Sequence, residues 1–204
     1  MQRPCSLRAF GTTAATGRAR KLRPVSIPHP AENLVTMPIS MYNASIPVLT
    51  RGLRNLSGIL DKAAASAEAR KIDPAVLIGA RLAPDMFPLG RQIQIASDTA
   101  KGAAGRLARA EVPAWPDTET TFPELQARIK KTVDYLGTFK AGQIDGAEDR
   151  AITLKMPDGD LTLTGQAYLF NFVLPNFLFH VTTAYAILRH NGVEIGKRDY
   201  LGAP

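Results

Sequence analysis

The stretch LPNFLFHVTTAYAILRHNG, residues 174–192, decides the fold. It lies in a run from 161 to 188 that contains no Asp, Glu, Lys or Arg, which by length alone is enough to span a bilayer. Against that reading, Gln166, Asn171, Asn176, His180, Thr182 and Thr183 are spread through the run, and Pro175 stands near its middle. Each would be costly against lipid. The central helix of a soluble bundle, covered on most sides by its neighbours, has the same composition without that cost. The run is therefore read as a helix over roughly residues 166–190, interrupted by Pro175 and stopped by Gly192 just past its end, with no membrane insertion.

Working outward, the residues before it change period. Ile152, Leu154 and Met156 alternate with polar neighbours, PDGD supplies turn residues, and Leu161 and Leu163 alternate back, which predicts a β-hairpin. Upstream the pattern is helical. From Ser45 onward, Leu49, Leu53, Leu56, Leu60, Ala63 and Ala67 form one apolar stripe, with Pro47 in the first turn. Asp73 and Pro74 open a short helix, PAVLIGARL, which APDMFP breaks. Leu89, Ile93, Ala96, Ala100, Ala103 and Leu107 make a second long stripe, whose small residues admit a close neighbour. After the proline-marked connection EVPAWPDTETTF, Thr121 and Glu124 have capping-box spacing. They open a third stripe of Leu125, Ile129, Thr132 or Val133, Leu136 and Phe139. Four long helices and one small hairpin predict an all-α four-helix bundle.

At 204 residues and 45% hydrophobic, the chain can bury one sizeable core. Of its net charge of +7, five units belong to residues 1–40, where Arg3, Arg8, Arg18, Arg20, Lys21 and Arg23 face only Glu32. The body, residues 41–204, is nearly neutral with mixed signs, so it lacks the clustered cations of a nucleic-acid groove. Residues 1–40, crossed by Pro24, Pro28, Pro30 and Pro38, read as a flexible basic extension. An organelle transit peptide shares that composition, as does a plain extension or a start at Met37 or Met41, and the plain reading is preferred. The lone Cys5 excludes an intrachain disulfide and fits a reducing, cytoplasmic location.

The seed of chemistry is His180. Asn176, His180 and Thr183 fall at i, i+4 and i+7, forming one polar line on an apolar rod. Such a line marks a ligand-facing surface or an internal hydrogen-bond network. On the second long helix, Gln92 sits beside the stripe residues and points near the core, whereas Gln94 and Asp98 project to the opposite face. Tyr185, Tyr168 and Trp115 are candidate cavity-lining aromatics that core packing explains equally well. His190 suits the helix C-terminus, and Glu148, Asp149 and Arg150 read as a local ion pair or turn anchor. No candidate nucleophile is tied to a histidine by a triad spacing.

The segments MYNASIPVLTRGLRNLSGILDKA, ARLAPDMFPLGRQIQIASD, GAEDRAITL and LPNFLFHVTTAYAILRHNGVEIGKRDYLG resemble an uncharacterised bacterial domain-of-unknown-function family within the DinB-like superfamily. The resemblance covers residues 41–204 and implies an up-down-down-up four-helix bundle and often a homodimer. Metal-binding members of the superfamily hold a divalent ion with three histidines, one on helix two and an H-x-x-x-H pair on helix four. Those positions fall here on Gln92, Asn176 and His180, so two imidazoles are replaced by carboxamides. Amide oxygens are poor zinc or nickel ligands, and the three residues suit one another as hydrogen-bond partners. No metal and no cofactor are therefore expected. The expected function is a non-catalytic, small-molecule-binding or stress-associated protein using Gln92, Asn176, His180, Thr183 and Tyr185. The alternatives are a divalent-metal-dependent thiol transferase or hydrolase, and a purely structural dimerisation module.

Overall fold

The computed structural model describes residues 39–202. The readings placed on the first 38 residues, including Cys5 and nearly all of the flexible basic extension, lie outside them.

Helix α1 spans Met41–Ala69 and begins four residues before the sequence pattern suggests, because the Ser40 side chain accepts from the Asn43 N–H and caps it. Pro47 is therefore interior. Its missing N–H leaves the Asn43 carbonyl without a helical donor, on a face where Asn43 and Pro47 are both exposed to solvent. The stripe Leu49, Leu53, Leu56, Leu60, Ala63 and Ala67 is buried throughout. The short helix α2, Pro74–Gly79, is capped by Asp73 and stops three residues earlier than expected.

Helix α3, Leu89–Ala108, buries its whole expected stripe. Helix α4, Phe122–Leu136, opens on the reciprocal capping box of Thr121 and Glu124, as the spacing predicts. Thr132 takes the buried position between Ile129 and Leu136, donating its hydroxyl to the Arg128 carbonyl at 2.9 Å. After the single turn α5, Ala141–Ile144, strands β1, Ala151–Met156, and β2, Gly159–Thr164, pair antiparallel with Ile152 opposite Leu163 and Leu154 opposite Leu161. Ile152 and Leu154 reach the core, while Met156 and Leu161 remain exposed.

The last long helix is continuous from Gly165 to His190. It comprises α6, Gly165–Ala167, a π-helical segment, Tyr168–Val173, and α7, Leu174–His190. Pro175 does not break it. In an α-helix the proline ring would collide with the carbonyl of Asn171. Here the preceding turn is widened, with the Leu174 N–H reaching back five residues to the Leu169 carbonyl. Gly165 packs directly on the Ala147 carbonyl, and the Gln166 N–H donates to Glu148 O at 2.9 Å, fixing where the hairpin hands over to the helix. A short helix α8, Lys197–Leu201, closes the described chain against α1.

Side chains from α1, α3, α4 and α7 share one core, joined by Ile152 and Leu154 of the hairpin. Gly52 of α1 leaves the gap that the Phe177 ring fills; a Cβ there would lie 2.6 Å from the ring. Gly165–His190 is long and apolar enough to cross a membrane by length and composition, and its apolar window is 44% buried within the domain. Of its polar side chains, Asn176 and His180 are used within the domain, each hydrogen-bonded to α3.

Candidate functional site

Three hydrogen bonds link α3 to the Gly165–His190 helix along their length. Arg106 Nη1 donates to Tyr168 Oη at 3.3 Å, Asn176 Nδ2 donates to Thr99 Oγ1 at 2.8 Å, and His180 Nδ1 meets Gln92 Oε1 at 2.6 Å. As one helix advances the other retreats, so the two run antiparallel.

The histidine contact has a defined polarity. Gln92 Nε2 donates to the Phe87 carbonyl at 2.9 Å, which turns Oε1 toward His180. An amide oxygen only accepts, so His180 Nδ1 carries the proton and Nε2 keeps its lone pair. Both residues are buried, Gln92 at 1% exposure and His180 at 8%. Burial, and secondarily the positive charge of Arg91, pushes the imidazole below the ordinary histidine range. The Phe179 ring stands perpendicular to it, with the centroids 5.2 Å apart.

The expected site residues do not converge on one point. Gln92 and His180 meet, but the Asn176 amide turns to Thr99. Thr183 is buried one turn beyond His180. Tyr185 lies on another face of α7, edge-on to Tyr200 of α8 at 6.0 Å. Tyr168 is buried and stacked on Phe172 at 5.9 Å, and burial raises its hydroxyl's ionisation above the ordinary tyrosine value despite the nearby Arg106.

One imidazole and two carboxamides, one of them directed elsewhere, do not fit a zinc or nickel ion that wants three nitrogen donors. Among the described residues no group of three or more His, Cys, Asp or Glu side chains is placed to hold a metal.

Asn176 and Thr99 line a groove of about 420 Å³ whose floor is α3, with Arg91, Ile95, Asp98 and Arg106. One wall is Thr153–Met156 of β1, and the other is Phe172 with Asn176. The groove was legible in part, since Arg91, Ile95, Asp98, Gly102 and Arg106 recur at helical spacing as a second stripe. What the sequence did not signal is that the hairpin folds across that stripe.

The side of α3 that faces α4 is also covered. Gln94 is buried, and Asp98 meets the buried guanidinium of Arg128 at 3.0 Å. Arg128 also lies 2.8 Å from Asp117 and 2.9 Å from Glu119, and donates to the Pro116 carbonyl at 3.1 Å. Its Nη2 reaches Asp98 at ion-pair distance without hydrogen-bond alignment. Burial acts to lower the Arg128 ionisation, but the Glu119 bond and the charges of Asp98, Glu119 and Asp117 more than reverse it. Trp115, between the ammonium groups of Lys101 and Lys131 at 4.5 Å each, completes this clasp on the 109–121 connection. The Glu148–Arg150 corner works through backbone bonds at Glu148 and Arg150 rather than through an ion pair between these side chains.

With the geometry in place, comparison with known proteins is specific. Residues 41–201 match the family described as Domain of unknown function (DUF1993). The chain belongs to that family. A crystal structure of a DinB family member protein from Shewanella denitrificans is 44% identical to it, with a TM-score of 0.74 over 80% of this chain and 92% of that one. No curated protein matches the chain. This DUF1993 protein is thus a DinB-like domain, mostly helical with a small antiparallel hairpin.

Proposed function

We propose that this DUF1993 protein is a cytoplasmic, non-catalytic small-molecule-binding protein whose ancestral metal position has become a hydrogen bond. The observation that carries this reading is the His180–Gln92 contact at 2.6 Å, in which the α3 position that a metal site would fill with a second imidazole holds a carboxamide acting as hydrogen-bond acceptor for His180. The groove beside it offers Thr99, Asn176 and Phe172 to an organic molecule, and no nucleophile activated by a base accompanies them.

The arrangement of helices in this reading is an up-down-down-up four-helix bundle. It is supported by α1 keeping pace with α7 from Gly52–Phe177 to Arg70–Asn191, by the antiparallel α3–α7 bonds, and by α3 keeping pace with α4 from Asp98–Arg128 to Gly105–Tyr135. A second copy of the chain is the proposed partner. Val48, Leu178 and Leu201, exposed together where α1, α7 and α8 meet, support that pairing.

The test has two arms. Calorimetric titration with zinc, nickel and manganese is expected to give no binding at micromolar affinity or better; tight stoichiometric uptake lost in His180→Ala would favour a metal-dependent transferase or hydrolase. A screen of neutral, anionic and cationic small organic molecules by amide NMR is expected to find binders that shift α3 and β1 resonances. A screen with no binder of any charge would overturn the proposal.

A further inference from the structure

The groove between α3, β1 and the π-helical segment has a charge asymmetry that specifies its ligand. Arg91, at one end, already pairs with Asp117 and lies over the Phe87 ring. Asp98, midway, is committed to Lys101 at 2.7 Å and to Arg128 at 3.0 Å. Lys155 pairs with Asp160 at 2.8 Å on the exposed hairpin. Arg106, at the other end, instead rests on a neutral partner, the Tyr168 hydroxyl. It lies back along its own helix over Gly102, where a Cβ would overlap its Nη1. Gly102 therefore holds open the space in which this guanidinium lies against the groove. Because burial keeps Tyr168 protonated, its oxygen accepts from Arg106 without neutralising it.

Next to this cation the lining turns apolar and then neutral-polar. Phe172 stacks on Tyr168 one turn along, and Ile95, Leu154 and Met156 complete the apolar part. Asn176 spends one amide hydrogen on Thr99, leaving its Oδ1 as an acceptor and the Thr99 hydroxyl proton as a donor. A planar guanidinium beside an aromatic face takes a carboxylate in a two-pronged grip and leaves the carbon body on the ring.

We propose that the groove binds a small organic carboxylate, its anionic group on Arg106 and its apolar body on Phe172 and Leu154. This rests on the small-molecule reading above and adds to it a place and a charge.

The experiment uses three probes of one shape, benzoate, benzyl alcohol and benzylamine, with inorganic phosphate as a fourth, titrated into the full chain by amide NMR. Benzoate is expected to bind at least tenfold more tightly than the alcohol or the amine, shifting amides near 99–106 and 153–156. Arg106→Gln, at an exposed position that leaves the core untouched, is expected to reduce benzoate affinity about tenfold while leaving benzyl alcohol unchanged. Phe172→Ala is expected to weaken benzoate and benzyl alcohol together. Equal affinity for benzoate and benzyl alcohol, an Arg106→Gln chain that keeps its benzoate affinity, or shifts confined to other surfaces would overturn the carboxylate assignment. So would phosphate binding as tightly as benzoate, which would reduce the site to a simple anion contact. If these probes fail while the broader screen finds neutral or cationic binders, the carboxylate assignment falls and the small-molecule reading stands.

Discussion

His180 shows what one residue's surroundings can do. The imidazole is fixed as its Nδ1–H tautomer by an amide that is itself held by the Phe87 carbonyl, and burial disfavours its charged form. In the unfolded chain the ring takes up a proton near pH 6.5, whereas in the folded chain it does so only at lower pH. Between those two values the unfolded state binds more protons, so stability is fully present above about pH 6.5 and falls as pH drops through the folded value. Urea unfolding of wild type and His180→Asn, followed from pH 8 to pH 5, is expected to show a steeper acid-side loss in wild type. Parallel curves would mean that His180 ionises as freely folded as unfolded. The Gln92–His180 pairing was legible because both positions face inward on helical periodicity. The turn of Asn176 toward Thr99 was not, because a carboxamide on a helix can reach neighbours on either side and its choice depends on a residue 77 positions away.

Among the elements, those with local signals were the most legible. The Thr121–Glu124 cap, the alternation in the hairpin and the first two apolar stripes carry their own geometry and form where their residues indicate, whereas α4 ends at Leu136 and Phe139 of the third stripe reaches the core from beyond the helix. Starts and stops that rest on weaker cues moved: α1 reaches back to Ser40, and α2 stops at Gly79. The junction between β2 and α6 depends on contact across the chain. A methyl group at Gly165 would overlap the Ala147 carbonyl, which is backbone and has little room to yield. Gly165→Ala is expected to destabilise the domain by about 2 kcal/mol. That corresponds to a melting temperature lower by about 4–8 °C, with hairpin amides exchanging faster. A melting temperature within about one degree of wild type would contradict that close approach.

For the whole molecule, the clasp around Arg128 holds the 109–121 connection over α3 and α4. It was illegible in the sequence, because Asp98, Asp117, Glu119 and Arg128 come from three separate segments and no short spacing announces them. Removing the cation would leave three carboxylates facing one another. The Asp98 and Asp117 side chains are 37% and 33% exposed, so water screens part of that repulsion. Arg128→Met is expected to cost about 2–3 kcal/mol in denaturant unfolding at low salt and less at 1 M salt. A cost that salt leaves unchanged would point to lost packing instead of charge.

The π-helical segment Tyr168–Val173 also sets the angular phase of everything after it. Eight residues of regular α-helix are about 2.2 turns, which would rotate Tyr168 and Asn176 out of line with each other. The wider turn absorbs the surplus, so Arg106 and Thr99 both find their partners on the same edge of α3. One residue there is, in effect, spare. Excising the exposed Phe170 together with Pro175→Ala is expected to yield an uninterrupted α-helix, a folded chain and a cooperative melt, whereas excising Ala103 from α3 would scramble every contact downstream. In this protein a length change tolerated at one point of a buried helix would follow from a vernier built into its backbone.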